Sequence, residues 1–558
     1  MGWPARLILA VAVCLVFFAG LGAYPLIEPD EGRYAEIPRE MLAGGDFVLP
    51  HLNGVLYFEK PPLYYWLNAA ALSLPGPPEV LGRLAGALFG LAGVGLAWAL
   101  GRSIGGSRVG RISAVVLASS PLWVALSRAT IIDMTLTFFL SATLTCFWLA
   151  QEREKGERRE RLLWYGMFAS AALATLAKGL IGIIIPGAVI FFFLLFARKW
   201  SILRRVPWIG GILLFLAIAL PWHVLAARRN PDFLWFYFVH EHLQRYATSE
   251  AKRQAPFWFF AAILAVGLLP WSGALPAAAR LFRRGTGRLR DRPGLIFLAC
   301  WAGFVFLFFS VSQSKLVPYI LPAIPPLAVL IALALAALPA DEEDERLRSW
   351  VRSGGAVGAL LLAVLAAALV WVSLGRVREV STSVIPVLLA LAVPTLALCL
   401  LSAWLWRRGS FESLPRLGAL AAGPVLLVLC LVSLGSRASQ RLSTEPIARF
   451  LAGRLAPEDE VYAYRCYPQT LPFYLKRLVG LVEYQGELAF GIQHLTPEER
   501  ARRFPGAALF RPVWNSDRTV YLVLEAEKLP RMQSDGLAPG PILMRQEKYL
   551  LMTNRRAP

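Results

Sequence analysis

The chain has 558 residues, of which 57% are apolar, 12% aromatic and only 17% charged, and its formal net charge is +20. Soluble domains usually carry about a quarter charged residues, so one large soluble globule is excluded, and so is a disordered chain. The basic residues sit mostly in short loops between apolar runs with no nucleic-acid-binding motif beside them, so nucleic acid is not an expected partner despite an isoelectric point near 10.0.

The composition predicts a polytopic α-helical membrane protein. A span needs roughly 20 apolar residues, and by that rule the chain holds about thirteen. The first run, 7–21, follows Arg6. No small-residue cleavage site stands out after it, so it reads as an uncleaved first span with the N-terminus inside. Later runs lie near 81–101, 109–127, 131–150, 162–177, 180–197, 207–225, 257–279, 294–311, 319–338, 353–373, 384–406 and 416–434. The runs at 162–177 and 180–197 are short and share Lys178-Gly179.

Alternation from an inside start places the loops 101–111, 151–161, 198–205, 280–292, 341–352 and 407–416 in the cytoplasm. They include EREKGERRER and RRGTGRLRDR, whereas the short outer loops are poor in Lys and Arg. That asymmetry is what the positive-inside rule requires. The expected division is a transmembrane domain over 1–434, with outer loops 24–79 and 226–256, and a small outer α/β domain over 435–558. Within the last segment, 443–455 and 496–504 carry helix-start signals. Segments 460–464, 478–484 and 519–524 pattern as strands. Five of the six cysteines fall in apolar stretches and Cys466 has no obvious partner, so disulfides do not organise the chain.

Several constellations carry chemistry. The first outer loop reads EPDEGRYAE over 28–36, with four acids in nine residues directly beyond the first span. A carboxylate at a membrane mouth, such as Asp30, suits a general base, a metal ligand or a site for a cationic substrate. The plainer reading is a helix start, because Pro-Asp-Glu caps well. The same loop continues YFEKPPLYYW over 57–66, where two prolines fix the backbone beside Glu59 and Lys60. Asp133 lies at the outer end of a span, either as a functional acid or as a helix N-terminal acid. Lys178 and Lys315 sit at outer ends of apolar runs, where lysine meets phosphate or snorkels to the interface. Tyr319 and three prolines near Lys315 favour more than snorkelling. His240 stands in HEHLQRY over 240–246, and Arg245 in the same stretch suits a phosphate. Two histidines alone are weak metal ligands, and Glu59 or Asp30 would have to complete a zinc or magnesium site. Acids for an amine, bases for phosphate and an aromatic rim for lipid together fit a lipid-phosphate substrate.

EPDEGRYAEIPREML, YFEKPPLYYWL, an outer-end aspartate, LAKGLIG and SKLVPYILPAIP occur in this order along the chain. The set resembles the aminoarabinose (4-amino-4-deoxy-L-arabinose) transferase family of lipid A, within the protein O-mannosyltransferase-like group of GT-C membrane glycosyltransferases. The resemblance covers the whole chain. It implies the GT-C fold and transfer of aminoarabinose from undecaprenyl phosphate to lipid A phosphates, on the periplasmic side of a bacterial inner membrane. It further implies resistance to polymyxin and cationic antimicrobial peptides. By motif, Asp30 matches the catalytic aspartate and Asp133 the second acidic position. Lys60 matches the lysine that holds the carrier phosphate, with Arg245 and Tyr319 weaker matches for the same task. Tyr34, Glu59 and His240 would line the cavity, and a monomer is expected. Two other readings stay open from sequence. One is a GT-C transferase with another sugar and a protein or glycan acceptor. The other is a lipid-linked sugar flippase, although the polar residues cluster at one mouth rather than at the midplane.

Overall fold

A computed structural model of the chain describes residues 3–237, 255–282, 292–337, 345–375, 385–408 and 414–555. It divides into two compact units, one of Met1–Gly20 with Gly86–Val432 and one of Leu21–Ala85 with Ser433–Pro558.

The first unit is helical. Each apolar run named above falls on a helix or a helix pair. Among the described residues six helices are long and apolar enough to cross a membrane, or seven if one bent pair counts as a span. The hydropathy count of about thirteen is larger because a span needs roughly 20 residues and some of its runs are shorter as helices. Trp3–Phe18 has 16 residues and Ile181–Ala197 has 17. In the helix Trp208–Arg229 only 22% of the apolar window is buried, against 78% in Val317–Ala337. The outward side chains of the former include Ile209 and Leu213. An apolar face of that size is stable against lipid chains but not against water.

Two predicted boundaries move. The segment 101–111, expected as a cytoplasmic loop, is carried within the helix Pro78–Ala118, whose non-helical residue is Gly106 at φ 84° and ψ 179°. Glycine reaches that torsion without a Cβ clash. The run 257–279, expected as one span, is split into Phe259–Gly267 and Trp271–Arg280, bent by 107°. Pro270 at the break has no N–H to continue the helical ladder.

The second unit joins two distant stretches of chain. Its N-terminal part holds the helix Asp30–Gly44, a small hairpin of β1 (His51–Leu52) and β2 (Val55–Leu56), and the helix Leu63–Leu72. Its C-terminal part is built on five strands: β3 (Glu460–Tyr464), β4 (Gly480–Val482), β5 (Val520–Glu525), β6 (Ile542–Arg545) and β7 (Tyr549–Thr553). Their order is β4-β3-β5-β7-β6. The strand β3 runs parallel to β4 and β5, and β7 runs antiparallel to β5 and β6. Short helices cover a core that includes Tyr464, Phe510, Trp514, Leu522 and Met552. The helix Pro497–Arg503 starts with a capping box between Thr496 and Glu499.

The hydropathy division placed 24–79 with the spans. The structure groups it with the C-terminal segment instead, for a chemical reason. The Asn53 side chain donates to the Val479 carbonyl at 2.8 Å and accepts from the Val479 N–H at 3.0 Å. Glu28 accepts from the N–H groups of Gln469 and Thr470 at 2.7 and 2.8 Å, and from the Thr470 hydroxyl. The buried side chains of Asn53 and Glu28 are thus satisfied by the C-terminal backbone, as burial demands.

Candidate active site

Asp30 and Glu31 open the helix Asp30–Gly44, where the free N–H groups and the dipole favour acids. The two acids part company. The Asp30 side chain is 55% exposed and Arg33 Nη1 lies 3.5 Å from its Oδ1. Glu31 points inward and is gripped by the fully buried Arg83. The Arg33 side chain is only 9% exposed, and its Nη2 donates to Glu487 Oε2 at 3.0 Å. Burial opposes the charge on Arg33, but Tyr57, Glu487, Tyr34 and Glu59 around it outweigh that effect and hold its pKa well above the usual range.

Tyr34 is buried on the same helix, with Tyr64 edge-on at 5.6 Å and Tyr65 stacked at 6.2 Å between ring centroids. Glu59 and Lys60 are half-buried just before Pro61-Pro62, and the helix Leu63–Leu72 begins after them. Lys60 Nζ donates to the Glu59 carbonyl at 2.7 Å. This places Asp30, Tyr34, Glu59 and Lys60 in one unit, together with Arg33 and Glu487.

The first unit holds a second constellation. Asp133 lies in the first turn of Ile132–Gln151, and Lys178 is the last residue of Arg158–Lys178. Each end suits its charge: an acid at the positive N-terminus, a base at the negative C-terminus. Lys178 Nζ lies 2.5 Å from Asp133 Oδ1, with both side chains nearly buried. The Tyr319 ring sits 4.7 Å from the same Nζ, in cation–π range. Asp133, Lys178 and Tyr319 therefore meet. Lys315 makes a local contact instead, donating to the Ser312 carbonyl at 2.7 Å.

His240 and Arg245 lie outside the described residues. Among the described residues no group of three His, Cys, Asp or Glu side chains is arranged to hold a metal ion. The site expected for Glu59 with His240 therefore falls partly outside the described residues.

Three participants had no flag in the sequence reading. Arg33 lies inside the first motif, but its burial is not legible locally. Glu487 is 454 positions from Arg33 and Gln469 is 441 from Glu28. Neither has a neighbouring motif that would announce it.

Residues 59–224 match the family model for dolichyl-phosphate-mannose-protein mannosyltransferase, and 447–554 match the aminoarabinose transferase C-terminal domain. The undecaprenyl phosphate-alpha-4-amino-4-deoxy-L-arabinose arabinosyl transferase of Pseudomonas paraeruginosa is 30% identical over 96% of this chain and 95% of its own. A namesake from Aeromonas salmonicida is 33% identical, over 63% of this chain and 64% of its own. The crystal structure of ArnT from Cupriavidus metallidurans bound to undecaprenyl phosphate superimposes with a TM-score of 0.84 at 31% identity, covering 99% of each chain. An archaeal oligosaccharyltransferase from Archaeoglobus fulgidus shares the fold alone, with a TM-score of 0.53 at 13% identity. Matched from end to end at this identity, the chain belongs to the undecaprenyl phosphate-aminoarabinose arabinosyl transferase family, membrane glycosyltransferases of the GT-C fold.

Proposed function

We propose that the protein transfers 4-amino-4-deoxy-L-arabinose from undecaprenyl phosphate to the phosphates of lipid A. The reaction takes place at the periplasmic face of a bacterial inner membrane, and the protein acts as a monomer. The observation that carries this reading is the end-to-end match to an ArnT crystallised with undecaprenyl phosphate. The loop bias of Lys and Arg supports the orientation.

In the proposed reaction a lipid A phosphate oxygen attacks the anomeric carbon of the sugar. The bond from that carbon to the carrier phosphate oxygen breaks, and its electron pair leaves with undecaprenyl phosphate. One displacement inverts the carbon. The acceptor phosphate is already ionised near neutral pH, so no strong general base is needed. Asp30, half-exposed at a helix start, orients the acceptor and balances charge developing on the sugar. Lys60 stabilises the departing phosphate electrostatically. Arg245 and Tyr319 are assigned the carrier phosphate as well. The Asp133–Lys178 pair ties the start of Ile132–Gln151 to the end of Arg158–Lys178, beside the Tyr319 ring. The added amine lowers the negative charge of lipid A and so weakens binding of polymyxin and cationic peptides.

The test is a mass spectrum of lipid A from a polymyxin-sensitive strain that makes the donor lipid but lacks its own transferase. Expression of this chain is expected to add the mass of one aminoarabinose, and Asp30→Asn is expected not to. A folded wild-type protein that leaves lipid A unchanged overturns the acceptor assignment and redirects the search to protein or glycan acceptors.

A further inference from the structure

The C-terminal segment has no role in the chemistry proposed above, yet it touches the acid loop at several points. The contacts close a ring. Glu28 accepts from the Gln469 backbone N–H at 2.7 Å. The Gln469 side-chain amide donates to Glu487. Glu487 accepts from Arg33 at 3.0 Å, and Arg33 reaches back to Asp30 at 3.5 Å. Asp30 follows Glu28 by two residues, which completes the circuit. Gln469 is 1% exposed and Arg33 8%, so most of the ring is sealed, while Asp30 opens outward.

Backbone packing reinforces the ring. A Cβ on Gly32 would stand 2.7 Å from the Thr470 backbone nitrogen. The turn carrying Asp30 thus lies directly on residues 469–470, with no room for a side chain between.

We infer that Arg33 is a positioning residue for Asp30, and that Glu487 and Gln469 hold it in place from the C-terminal segment. An exposed acid three residues from an arginine normally gains little from the pair, because both side chains move in water. Here the arginine is nearly buried and held by a second carboxylate. Its other arm is fixed inside the protein, so the half-exposed carboxylate meets a charge of fixed position. That is the support a reacting carboxylate needs to hold its geometry. The inference rests on the reading of Asp30 as a reacting group.

The experiment uses the full chain and follows sugar transfer to lipid A by kcat and KM. Glu487→Gln keeps the shape and removes the charge that holds Arg33. It is expected to lower kcat about ten- to hundredfold with KM for the donor lipid within about twofold. Arg33→Lys shortens the cation and Asp30→Glu lengthens the acid. The double variant is expected to exceed the product of the two single activities, because the changes compensate in reach. Melting temperatures are read alongside, and Glu487→Gln serves if the Arg33 variant does not fold. Losses that simply multiply, or a Glu487→Gln enzyme with kcat within twofold of wild type, overturn the positioning role. Full transfer by Asp30→Asn instead overturns the reading of Asp30, and the inference falls with it.

Discussion

Arg83 grips Glu31 with two arms of its guanidinium, Nε to Oε1 at 2.8 Å and Nη2 to Oε2 at 2.7 Å. Its remaining donors reach the carbonyls of Leu21, Tyr24 and Pro25 at 2.7, 2.9 and 3.0 Å. All five N–H groups of the side chain are thereby used, and the Tyr24 ring lies 3.8 Å from the guanidinium carbon. One buried arginine thus fixes the chain from residue 21 to residue 31. Removing one partner of such a pair leaves a buried charge and costs about 3–5 kcal/mol. Arg83→Met and Glu31→Leu are each expected to destabilise the protein by that amount. The double variant should lose less than their sum. Thermal unfolding of the purified protein in detergent checks this, and strictly additive losses would show the pair is not coupled.

The ion pair of Asp133 and Lys178 joins two helix ends of opposite polarity. Asp133→Asn or Lys178→Met is expected to reduce activity and the yield of folded protein. The exchange variant, Asp133→Lys with Lys178→Asp, restores the pair but sets each charge against its helix dipole. It is expected to recover little. Recovery to wild-type yield would mean that the pair acts without the helix ends. Tyr319→Phe keeps the ring over Lys178, so folding should be unchanged while transfer falls with loss of the hydroxyl assigned to the carrier phosphate, whereas Tyr319→Leu also removes about 0.5–2 kcal/mol of cation–π attraction.

Lys60 sits half-buried beside two prolines, with its ammonium directed to the Glu59 carbonyl. Lys60→Ala is expected to abolish transfer while the protein still folds, since a single electrostatic stabiliser in an enclosed site contributes about 2.7–4 kcal/mol to the barrier. Lys60→Arg should retain part of the activity. Lipid A mass spectra from cells expressing each variant give the comparison, and wild-type product from Lys60→Ala would remove Lys60 from the site.

Glu28 predicts a pH dependence. Burial pushes its pKa from 4.5 up to about 7, against the hydrogen bonds from Thr470 and Gln469 that favour the charged form. A carboxyl that holds its proton more tightly folded than unfolded adds stability on the acid side. The contribution is full below about pH 4.5 and is lost as pH rises to about 7. It amounts to roughly 3 kcal/mol. The melting temperature of wild type relative to Glu28→Gln should therefore fall between those limits and stay level above them. A difference that does not change with pH would show that Glu28 keeps its ordinary affinity for protons.

Local chemistry was legible in the sequence where it depends on neighbours. The acids of 28–36 announce a helix start, and Asp30–Gly44 is one. The strand at 460–464 and the capped helix after Thr496 follow from alternation and capping. Strands β6 and β7 carry little local signal, because β6 is an edge strand directly after Pro539-Gly540-Pro541 that pairs with β7, and β7 is short and takes its form from lying between β5 and β6. The partner of Lys178 is 45 positions away and that of Arg33 is 454. A hydrogen bond across such distances has no periodicity to read. The break at Pro270 was written in the residues, but a hydropathy window averages over a single proline.

The second unit is assembled from Leu21–Ala85 and Ser433–Pro558, with the membrane helices encoded between them. A ribosome adding about 5–20 residues per second needs on the order of tens of seconds to cross that interval. Throughout it, Arg33, Glu28 and Asn53 lack their C-terminal partners Glu487, Gln469, Thr470 and Val479. A chain released early can carry the acid loop and the spans yet have nothing to close the ring around Asp30. Completing synthesis thus supplies Gln469 and Glu487, and a copy terminated before them is expected to lack the support that Asp30 has in the finished protein.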